Sequence, residues 1–339
     1  MPAEWEPHEA TWIAWPHNRE DWPGRFTPIP WVYGEIVRKL SVVERVRILV
    51  EDAALEAQAR NVLRKVGAAM EAVEFFRYRT NRVWVRDYGP LFVTGPRGQV
   101  ALTAWRFNAW AKYDDWQLDS GVPAFLAKRL GFRTWQPGLV LEGGSIDVSG
   151  AGLLMTTEEC LLSEVQARNP GISRARLERA LRAYLGVERI IWLANGIAGD
   201  DTHGHVDDLA RFVSADTVIM STERDHSDIN YEPLKRNAAL AREAGLRVIP
   251  VPMPAPLVFS GRRLPASYAN FYIANGLVLV PTFNDPADRL ALNVLARAFP
   301  GRTVTGIDCT SLIWGLGALH CMTQQQPASS ASVDFRRQT

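Results

Sequence analysis

The chain has 339 residues with 38 basic and 37 acidic side chains, and its net charge of +1 gives no field that would draw it to nucleic acid or an anionic membrane. Apolar residues make up 47% and charged residues 22%, as in an ordinary globular protein. The opening residues 1–6 lack the basic and apolar regions of a secretory signal, and no run of about 18 apolar residues could span a membrane. Three cysteines are too few for a disulfide framework, so we expect a protein of a reducing compartment such as the cytoplasm.

The hydrophobic pattern predicts alternating helices and strands along the whole chain. A strand at 10–15, a helix at about 31–44 and a strand at 46–50 come first. Five helices follow, each ended by glycine and followed by an extended segment, and the first three have the predicted N-caps Asp52, Ser120 and Ser173. The helix-to-strand junctions fall near positions 75, 133, 189, 247 and 303.

These junctions recur about every 57 residues, which indicates a repeat architecture. Further short strands fit between them, at 91–94, 100–106, 153–156, 209–214 and 277–281. Each unit is then a small mixed sheet with one helix, and five units can close into a ring without exposed sheet edges. The alternative is an ordinary α/β domain whose units are evenly sized by chance. We expect one domain over 1–328 and a disordered tail over 329–339, which is small, polar and partly basic.

Polar clusters follow four of the five junctions, at 81–90, 141–147, 199–208 and 315–327. In a ring, equivalent positions converge on the axis, which would bring together five side chains that can do chemistry. These are Asp87, Glu142, His205, Asp207 and Cys321. Taken singly, Asp87 is better explained as a cap or turn residue and Glu142 equally well as a turn residue, whereas an inert buried thiol is the weaker explanation for Cys321.

The segment 202–208 (THGHVDD) has three competing interpretations. His203, His205 and Asp207 could bind zinc or iron, although Gly204 weakens the extended geometry that such a site needs. The segment could be a structural surface turn. Alternatively, His205 is a general acid and base, with the Asp207 carboxylate on the same side of a strand.

A thiol beside an imidazole and several carboxylates favours a cationic substrate. Carboxylates would disfavour the oxyanion of peptide hydrolysis, whereas a planar guanidinium pairs with them through its N–H forks. Two acids would fix its plane while the Cys321 thiolate attacks the central carbon.

Motifs spread over nearly the whole chain resemble those of the agmatine deiminases, in the guanidino-group-modifying or pentein superfamily and the bacterial-type peptidyl-arginine deiminase family. They lie at 2–12 (PAEWEPHEATW), 84–90 (WVRDYGP), 107–110 (FNAW), 141–144 (LEGG), 204–207 (GHVD), 267–275 (SYANFYIAN) and 320–327 (HCMTQQQP). The resemblance implies an α/β fold with a five-bladed propeller, in agreement with the period. The chain departs from the family pattern at 315–319 (GLGAL) and at Ala111 and Lys112, where glycines are common.

The resemblance also implies roles for the residues of the predicted site. Cys321 would be the nucleophile, His205 the acid and base, Asp87 and Asp207 the guanidinium ligands, and Glu142 a further carboxylate. His320 then becomes a positioning residue. Trp84 and Trp110 could wall the pocket, and Asp201 or its neighbour Asp200 could bind a distal amine.

The reaction implied is deimination of agmatine to N-carbamoylputrescine and ammonia through a covalent amidino intermediate on Cys321, with no metal or organic cofactor. The substrate would be a small cationic guanidine, and a homodimer is expected. Three alternatives stay open: a deiminase of peptidyl-arginine or another small guanidine, a non-catalytic propeller used for binding, and a zinc hydrolase built on His203, His205 and Asp207.

Overall fold

The computed structural model describes residues 1–329, so all of the predicted disordered tail except Ser329 lies outside the described residues. Over the described part the chain is a mixed α/β fold. Helices of more than one turn span Ile29–Leu40, Ala53–Val66, Val122–Leu130, Arg174–Leu185, Tyr231–Glu243 and Ala287–Ala298, and shorter ones span Val85–Tyr88, Gln117–Ser120 and Glu158–Leu162. None of the helices within 1–329 is long and apolar enough to cross a membrane.

Five sheets of three or four strands carry most of the described β-structure. In strand order they are Gln324–Pro327, His8–Ala14, Arg45–Val50, Val73–Arg77; Leu91–Thr94, Val100–Thr103, Thr134–Trp135; Ile146–Val148, Leu153–Thr157, Arg189–Leu193; Ala210–Phe212, Thr217–Thr222, Arg247–Pro252; and Tyr272–Ala274, Leu277–Thr282, Thr303–Asp308. A two-stranded hairpin joins Val258–Phe259 to Arg262–Arg263. The predicted junctions lie in or next to the last strand of each sheet.

Each of the five sheets combines one antiparallel pair with parallel strands reached through a helix. In the sheet that begins at Ala210, for example, Ala210–Phe212 runs antiparallel to Thr217–Thr222, which is parallel to Arg247–Pro252. The first sheet takes its antiparallel strand from the far end of the chain, because Gln324–Pro327 pairs with His8–Ala14. The two ends of the described chain therefore complete one sheet together.

The helix caps show where local pattern was sufficient. The side chains of Asp52 and Ser173 accept hydrogen bonds from Leu55 N and Arg176 N, as predicted. The cap predicted at Ser120 is wrong, because Ser120 ends the short helix Gln117–Ser120 and Gly121 begins the next helix without a side-chain cap. The helices start and stop where backbone groups find these partners.

Candidate active site

A cavity of about 720 Å³ opens at one end of the sheets. Cys321 and Asp87 lie at its floor, and its walls include Trp84, Trp110 and Asp201. We define the floor as these two residues together with the adjacent Glu142, His205 and Asp207. Arg82, Tyr113, Arg262 and four further acidic residues also line it, namely Glu20, Asp21, Asp114 and Asp115. These positions come from several well-separated segments of the chain, so the cavity exists only in the folded state.

The segments that carry the predicted residues share one position in the fold. Each lies immediately before the first strand of a sheet: Asp87 in the helix Val85–Tyr88, Glu142 before a single helical turn, Asp207 in another, and Cys321 in the turn before Gln324–Pro327. Because these positions are equivalent in the repeated sheets, the five predicted side chains lie together. This part of the prediction depended on the repeat and not on any one motif.

His205 faces carboxylates from both of its ring nitrogens. Its Nδ1 lies 3.8 Å from Asp87 Oδ1 and 3.9 Å from Asp207 Oδ1, and its Nε2 lies 3.6 Å from Glu142 Oε2. Burial alone would lower the pKa of His205, but Asp87, Cys160 and Glu142 raise it well above the ordinary value. The groups around His205 therefore favour its cationic form, which can donate a proton.

Asp87 is held by two fixed donors. Trp110 Nε1 donates to its Oδ2 at 2.9 Å and Gly144 N donates to its Oδ1 at 3.0 Å. A Cβ at Gly144 would lie 2.6 Å from His205 Nδ1 and 2.8 Å from Asp87 Oδ1, so only glycine allows this approach. Burial raises the pKa of Asp87 to about 6, against the lowering effect of His205.

Trp110 is presented by an unusual backbone. Ala109, Trp110 and Ala111 have φ values of 47°, 58° and 52°, a left-handed conformation that residues with a side chain seldom adopt. The Asn108 side chain accepts a hydrogen bond from Ala111 N at 3.1 Å and closes the turn. The strain is localised where the indole N–H must reach Asp87.

The Glu142 carboxylate pairs with Arg168, a residue that the sequence analysis did not identify as part of the site. Arg168 Nε lies 3.1 and 3.3 Å from the two carboxylate oxygens, and both side chains are fully buried. Burial would raise the pKa of Glu142, but Arg168 and His205 hold it below the ordinary value. Glu142 is therefore an anion beside the His205 ring.

Asp207 is fixed by His320, the neighbour of the thiol. His320 Nδ1 lies 2.7 Å from Asp207 Oδ2, while His320 Nε2 lies 2.8 Å from Glu4 Oε2. Despite its burial, Asp207 has a pKa below the ordinary value, chiefly because of the hydrogen bond and charge of His320. Its other oxygen, Oδ1, has no hydrogen-bond partner among the described residues and is available to a ligand.

The Cys321 thiol lies between an amide and a carboxylate. Asn270 Nδ2 donates to Sγ at 3.0 Å, and Asp207 Oδ2 lies 3.9 Å from Sγ. Burial, followed by the charges of Asp207, Asp208 and Asp87, raises the pKa of Cys321 well above the ordinary value. Burial and these neighbouring carboxylates therefore favour the neutral thiol form of Cys321.

Asn270 is a second residue that the sequence analysis missed as part of the site. Besides Cys321 Sγ it contacts Asp208, at 2.9 Å, and its Oδ1 accepts from His320 N at 2.9 Å. It lies just before Tyr272–Ala274, the first strand of the last of the five sheets, as Asp87 and Cys321 lie before the first strands of theirs. The repeat therefore contained the signal, but a search for titratable groups passes over an amide.

The mouth of the cavity is built around Asp201. Lys112 Nζ and Tyr113 Oη lie 2.6 Å from its two oxygens, and Arg262 from the hairpin also contacts it. These partners hold the pKa of Asp201 below its ordinary value although burial opposes them. Trp84 lies on the cavity wall against Gly317, where a Cβ would come within 2.7 Å of the indole.

His203 does not converge with His205 and Asp207. It has a φ of 62°, and its ring nitrogens face Ser163 Oγ at 3.2 Å and Glu159 at 3.9 Å. Among the described residues, two groups bring three possible ligand atoms within 4.8 Å of one another, namely Glu142, Cys160, His205 and Asp207, Asp208, Cys321. Neither contains His203, so the zinc site proposed from the sequence is not formed by this geometry.

Comparison with known proteins places this site in a family. The model of the Porphyromonas-type peptidyl-arginine deiminases matches residues 1–327. The agmatine deiminase of Pseudomonas aeruginosa strain LESB58 is 37% identical, covering 97% of this chain and 95% of that protein, and the agmatine deiminase of Medicago truncatula is 36% identical, covering 97% and 96%.

Solved structures agree over the same length. A cysteine-to-serine variant of the C. jejuni agmatine deiminase with substrate bound superposes with a TM-score of 0.89 at 30% identity, covering 97% of this chain and 96% of that one. The agmatine deiminase of Enterococcus faecalis gives a TM-score of 0.89 at 31% identity, covering 96% and 95%. The chain belongs to the Porphyromonas-type peptidyl-arginine deiminase family.

Proposed function

We propose that this protein is a hydrolase that deiminates agmatine to N-carbamoylputrescine and ammonia, with Cys321 as the nucleophile. The observation that carries the proposal is the arrangement of the cavity floor. There the side chains of Asp87, Glu142 and Asp207 lie around the His205 imidazole, and Asp207 also lies beside the Cys321 thiol. The names of the similar enzymes supply the substrate. A small cationic guanidine is the ligand whose charge and planar donors match this floor.

Asp87 and Asp207 hold the guanidinium group. Both oxygens of Asp87 accept hydrogen bonds from protein donors, Trp110 Nε1 and Gly144 N, and one oxygen of Asp207 is bonded to His320. The fixed carboxylates cannot rotate away, so the plane of the bound guanidinium is set before reaction. Glu142 adds a third negative charge next to His205.

The substrate activates the thiol. In the free enzyme the anionic neighbours of Cys321 disfavour its thiolate. A guanidinium bound to Asp87 and Asp207 compensates those charges, and the cationic His205 adds to the effect, so the Cys321 thiolate forms when its target is in place. This arrangement protects the thiol from reaction in the empty enzyme.

The reaction then proceeds in two balanced halves. The Cys321 sulfur forms a bond to the guanidinium carbon, His205 gives a proton to a terminal nitrogen, and ammonia leaves with the electron pair of its broken C–N bond. A covalent amidino-thioether remains on Cys321. Water, deprotonated by His205, adds to the same carbon, and the C–S bond breaks with its electron pair left on sulfur. The added hydroxyl group gives its proton to that sulfur, which restores the Cys321 thiol, and the ureido product is released. The proton that Cys321 lost to solvent when the substrate bound is the one that turns the released ammonia into ammonium.

The proposal extends to the architecture and setting of the enzyme. The five sheets form a single propeller domain of five blades, supported by the shared strand pattern and by the pairing of Gln324–Pro327 with His8–Ala14. Trp84 and Trp110 wall the substrate channel and Asp201 binds the distal amine of agmatine; the support for these roles is that all three residues line the cavity. The three unpaired cysteines suit a reducing compartment, here the cytoplasm, and the homodimer remains a prediction for light scattering.

Steady-state kinetics with agmatine, free arginine and an arginine-containing peptide test the function. We expect ureido product and ammonia in equal amounts from agmatine, with the highest kcat/KM of the three. Acid quenching during turnover, followed by mass spectrometry, should show the amidino group on the peptide that contains Cys321. A preference for the peptide would replace agmatine by protein-bound arginine, and absence of turnover with all three would leave a binding protein.

A further inference from the structure

A buried ionic network lies on the far side of Asp207 from the cavity, and its centre is Glu4. Glu4 is 5% exposed, and its Oε2 lies 2.8 Å from His320 Nε2, 2.9 Å from Arg211 Nη2 and 3.3 Å from Arg86 Nη2. Its Oε1 accepts a hydrogen bond from Ile273 N at 2.8 Å. One carboxylate near the N-terminus therefore contacts four distant segments of the chain.

The geometry of His320 makes Glu4 relevant to the chemistry. His320 lies between two carboxylates, Asp207 on Nδ1 and Glu4 on Nε2. Glu4 also lies 2.9 Å from Arg211 Nη2 and 3.3 Å from Arg86 Nη2, and two guanidinium groups at these distances favour its ionised form. An ionised carboxylate only accepts hydrogen bonds, and each ring nitrogen of His320 lies within 2.8 Å of a carboxylate oxygen, which is the geometry of an imidazolium that donates from both nitrogens.

Other charged and titratable groups from several elements surround the Glu4–His320 pair. Glu4 and His320 are faced by Arg86 from the helix Val85–Tyr88, Arg211 and Asp147 from neighbouring strands, and Tyr272 and His8 from two further strands. Arg302, which donates to Trp5 O and Ala274 O, also interacts electrostatically with Glu4. Arg211 is shared, because its Nε also lies 3.3 Å from Asp147 Oδ1. Arg86 Nε donates to His320 O at 3.2 Å, so the backbone beside the thiol belongs to the same network.

We propose that Glu4 is a positioning residue for the deimination: its carboxylate accepts the second N–H of His320, and the doubly protonated His320 holds Asp207 ionised and aimed at the guanidinium. The proposal rests on the proposed function only for its kinetic readout. It assigns to the N-terminal segment a part in the active site, although Glu4 is separated from His320 by 316 positions in the chain.

The sign of the expected pH effect follows from distance. Glu4→Gln removes a negative charge that lies beyond His320 from Asp207. Without the Glu4 charge, the protonated form of His320 is no longer stabilised at Nε2. His320 then becomes neutral, and a positive charge 2.7 Å from Asp207 is lost. The nearer change dominates, so the pKa of Asp207 rises and the acid limb of kcat/KM moves to higher pH.

Two measurements on the full-length protein test the proposal. In ¹⁵N-histidine-labelled wild type, the His320 ring should show two N–H groups, and Glu4→Gln should show one, which needs no turnover. With agmatine, Glu4→Gln should lower kcat/KM by on the order of tenfold at pH 7 and move its acid limb upward, with the loss in kcat/KM reduced at higher pH.

Glu44→Gln is the matched control. Glu44 is also a 5% exposed carboxylate on a buried histidine, lying 3.3 Å from His8 Nδ1, but it contacts neither His320 nor Asp207. We expect it to lower thermal stability as much as Glu4→Gln does while leaving the pH profile of kcat/KM in place. His320→Gln should reproduce the shift, and the double variant with Glu4→Gln should lose no more than the single ones.

The outcomes separate the two proposals. A wild type without turnover of any guanidine would overturn the proposed function, while the histidine spectra would still decide the state of His320. A single ring N–H in the wild type, an unshifted acid limb in Glu4→Gln, or additive losses in the double variant would show that Glu4 is only structural.

Discussion

The floor and the mouth of the cavity use the same kinds of charged side chains under opposite conditions. On the floor, Asp87, Glu142, His205 and Asp207 are at most 4% exposed. At the mouth, the side chains of Lys112 and Arg262 that pair with Asp201 are 36% and 52% exposed. Charges on the floor interact in a low dielectric, whereas those at the mouth are screened by water and salt. Removing one charge should therefore cost much more on the floor than at the mouth.

The two regions also differ in what holds them. Backbone N–H groups from distant parts of the chain fix the floor. Gly144 N donates to Asp87, and Ile273 N donates to the Glu4 carboxylate, which lies on the other side of His320 from Asp207. The mouth is held by long flexible side chains, and an exposed ion pair of this kind contributes little stability. The floor is thus preorganised for one planar group, while the mouth can adapt to the rest of a substrate.

The largest expected effect is loss of the nucleophile. Cys321→Ala should lower kcat by at least about 10³-fold, since the covalent intermediate cannot form and thiol and base act as a unit. Cys309→Ala is the control, because Cys309 is buried away from the cavity and its thiol touches none of the floor residues. Single-turnover kinetics of both variants, with the mass of the trapped protein, provide the measurement. Substantial turnover by Cys321→Ala would contradict the mechanism.

Loss of a guanidinium ligand should come next. Asp207→Asn removes a charge that pairs with substrate and with His320, so we expect kcat/KM for agmatine to fall by about 10²- to 10³-fold, on the scale of 2–5 kcal/mol for a buried charge pair. Direct binding of agmatine to the Cys321→Ala background, with and without Asp207→Asn, isolates the binding part. Equal affinities in the two backgrounds would exclude Asp207 as a ligand.

Much of this floor could be predicted from sequence, because the polar residues occur at one position of a repeated unit. Cys321 and Asp87 each directly precede the first strand of a sheet, and the hydrophobic period located those strands. Glu4 and Arg168 lie outside that position. Their roles come from contacts across the chain, such as the 26 positions between Arg168 and Glu142, which no local pattern records.

Local rules failed in the fold for a similar reason. Asp52 and Ser173 cap helices as their sequence suggests, but Ser120 is the last residue of the short helix Gln117–Ser120 and therefore cannot cap the next one. In that helix Ser120 N donates a hydrogen bond to Trp116 O, and the next residue, Gly121, donates from its N to Leu118 O. A serine before an apolar stretch signals a cap only when the preceding residues are not helical themselves.

A smaller effect, on stability, distinguishes the two floor carboxylates. The folded-state pKa of Asp87 is raised to about 6, so its contribution to stability is present below about pH 4 and is lost as the pH rises through 6. Asp87→Asn removes this titration, so the loss of stability of about 3 kcal/mol that Asp87 causes in the wild type between about pH 4 and pH 7 should be absent from the variant. Asp207 has a lowered pKa, so Asp207→Asn should decrease the free energy of unfolding at pH 7. Urea unfolding of the wild type and both variants at pH 4 and pH 7 checks this, and the same pH dependence in the wild type and Asp87→Asn would show that the charge of Asp87 is compensated.

The smallest effect is expected at the mouth. Asp201→Asn should raise the KM for agmatine by about two- to fivefold with little change in kcat. Asp201 itself is buried, but its partners Lys112 and Arg262 are 36% and 52% exposed, and ion pairs screened by solvent in this way contribute about 1 kcal/mol or less. Lys112→Ala should act in the opposite direction, since it releases an Asp201 oxygen that Lys112 Nζ approaches to 2.6 Å. Both shifts should shrink in 0.5 M salt, whereas the loss in Asp207→Asn should not. A large fall in kcat for Asp201→Asn would mean that the mouth, like the floor, positions the reacting group.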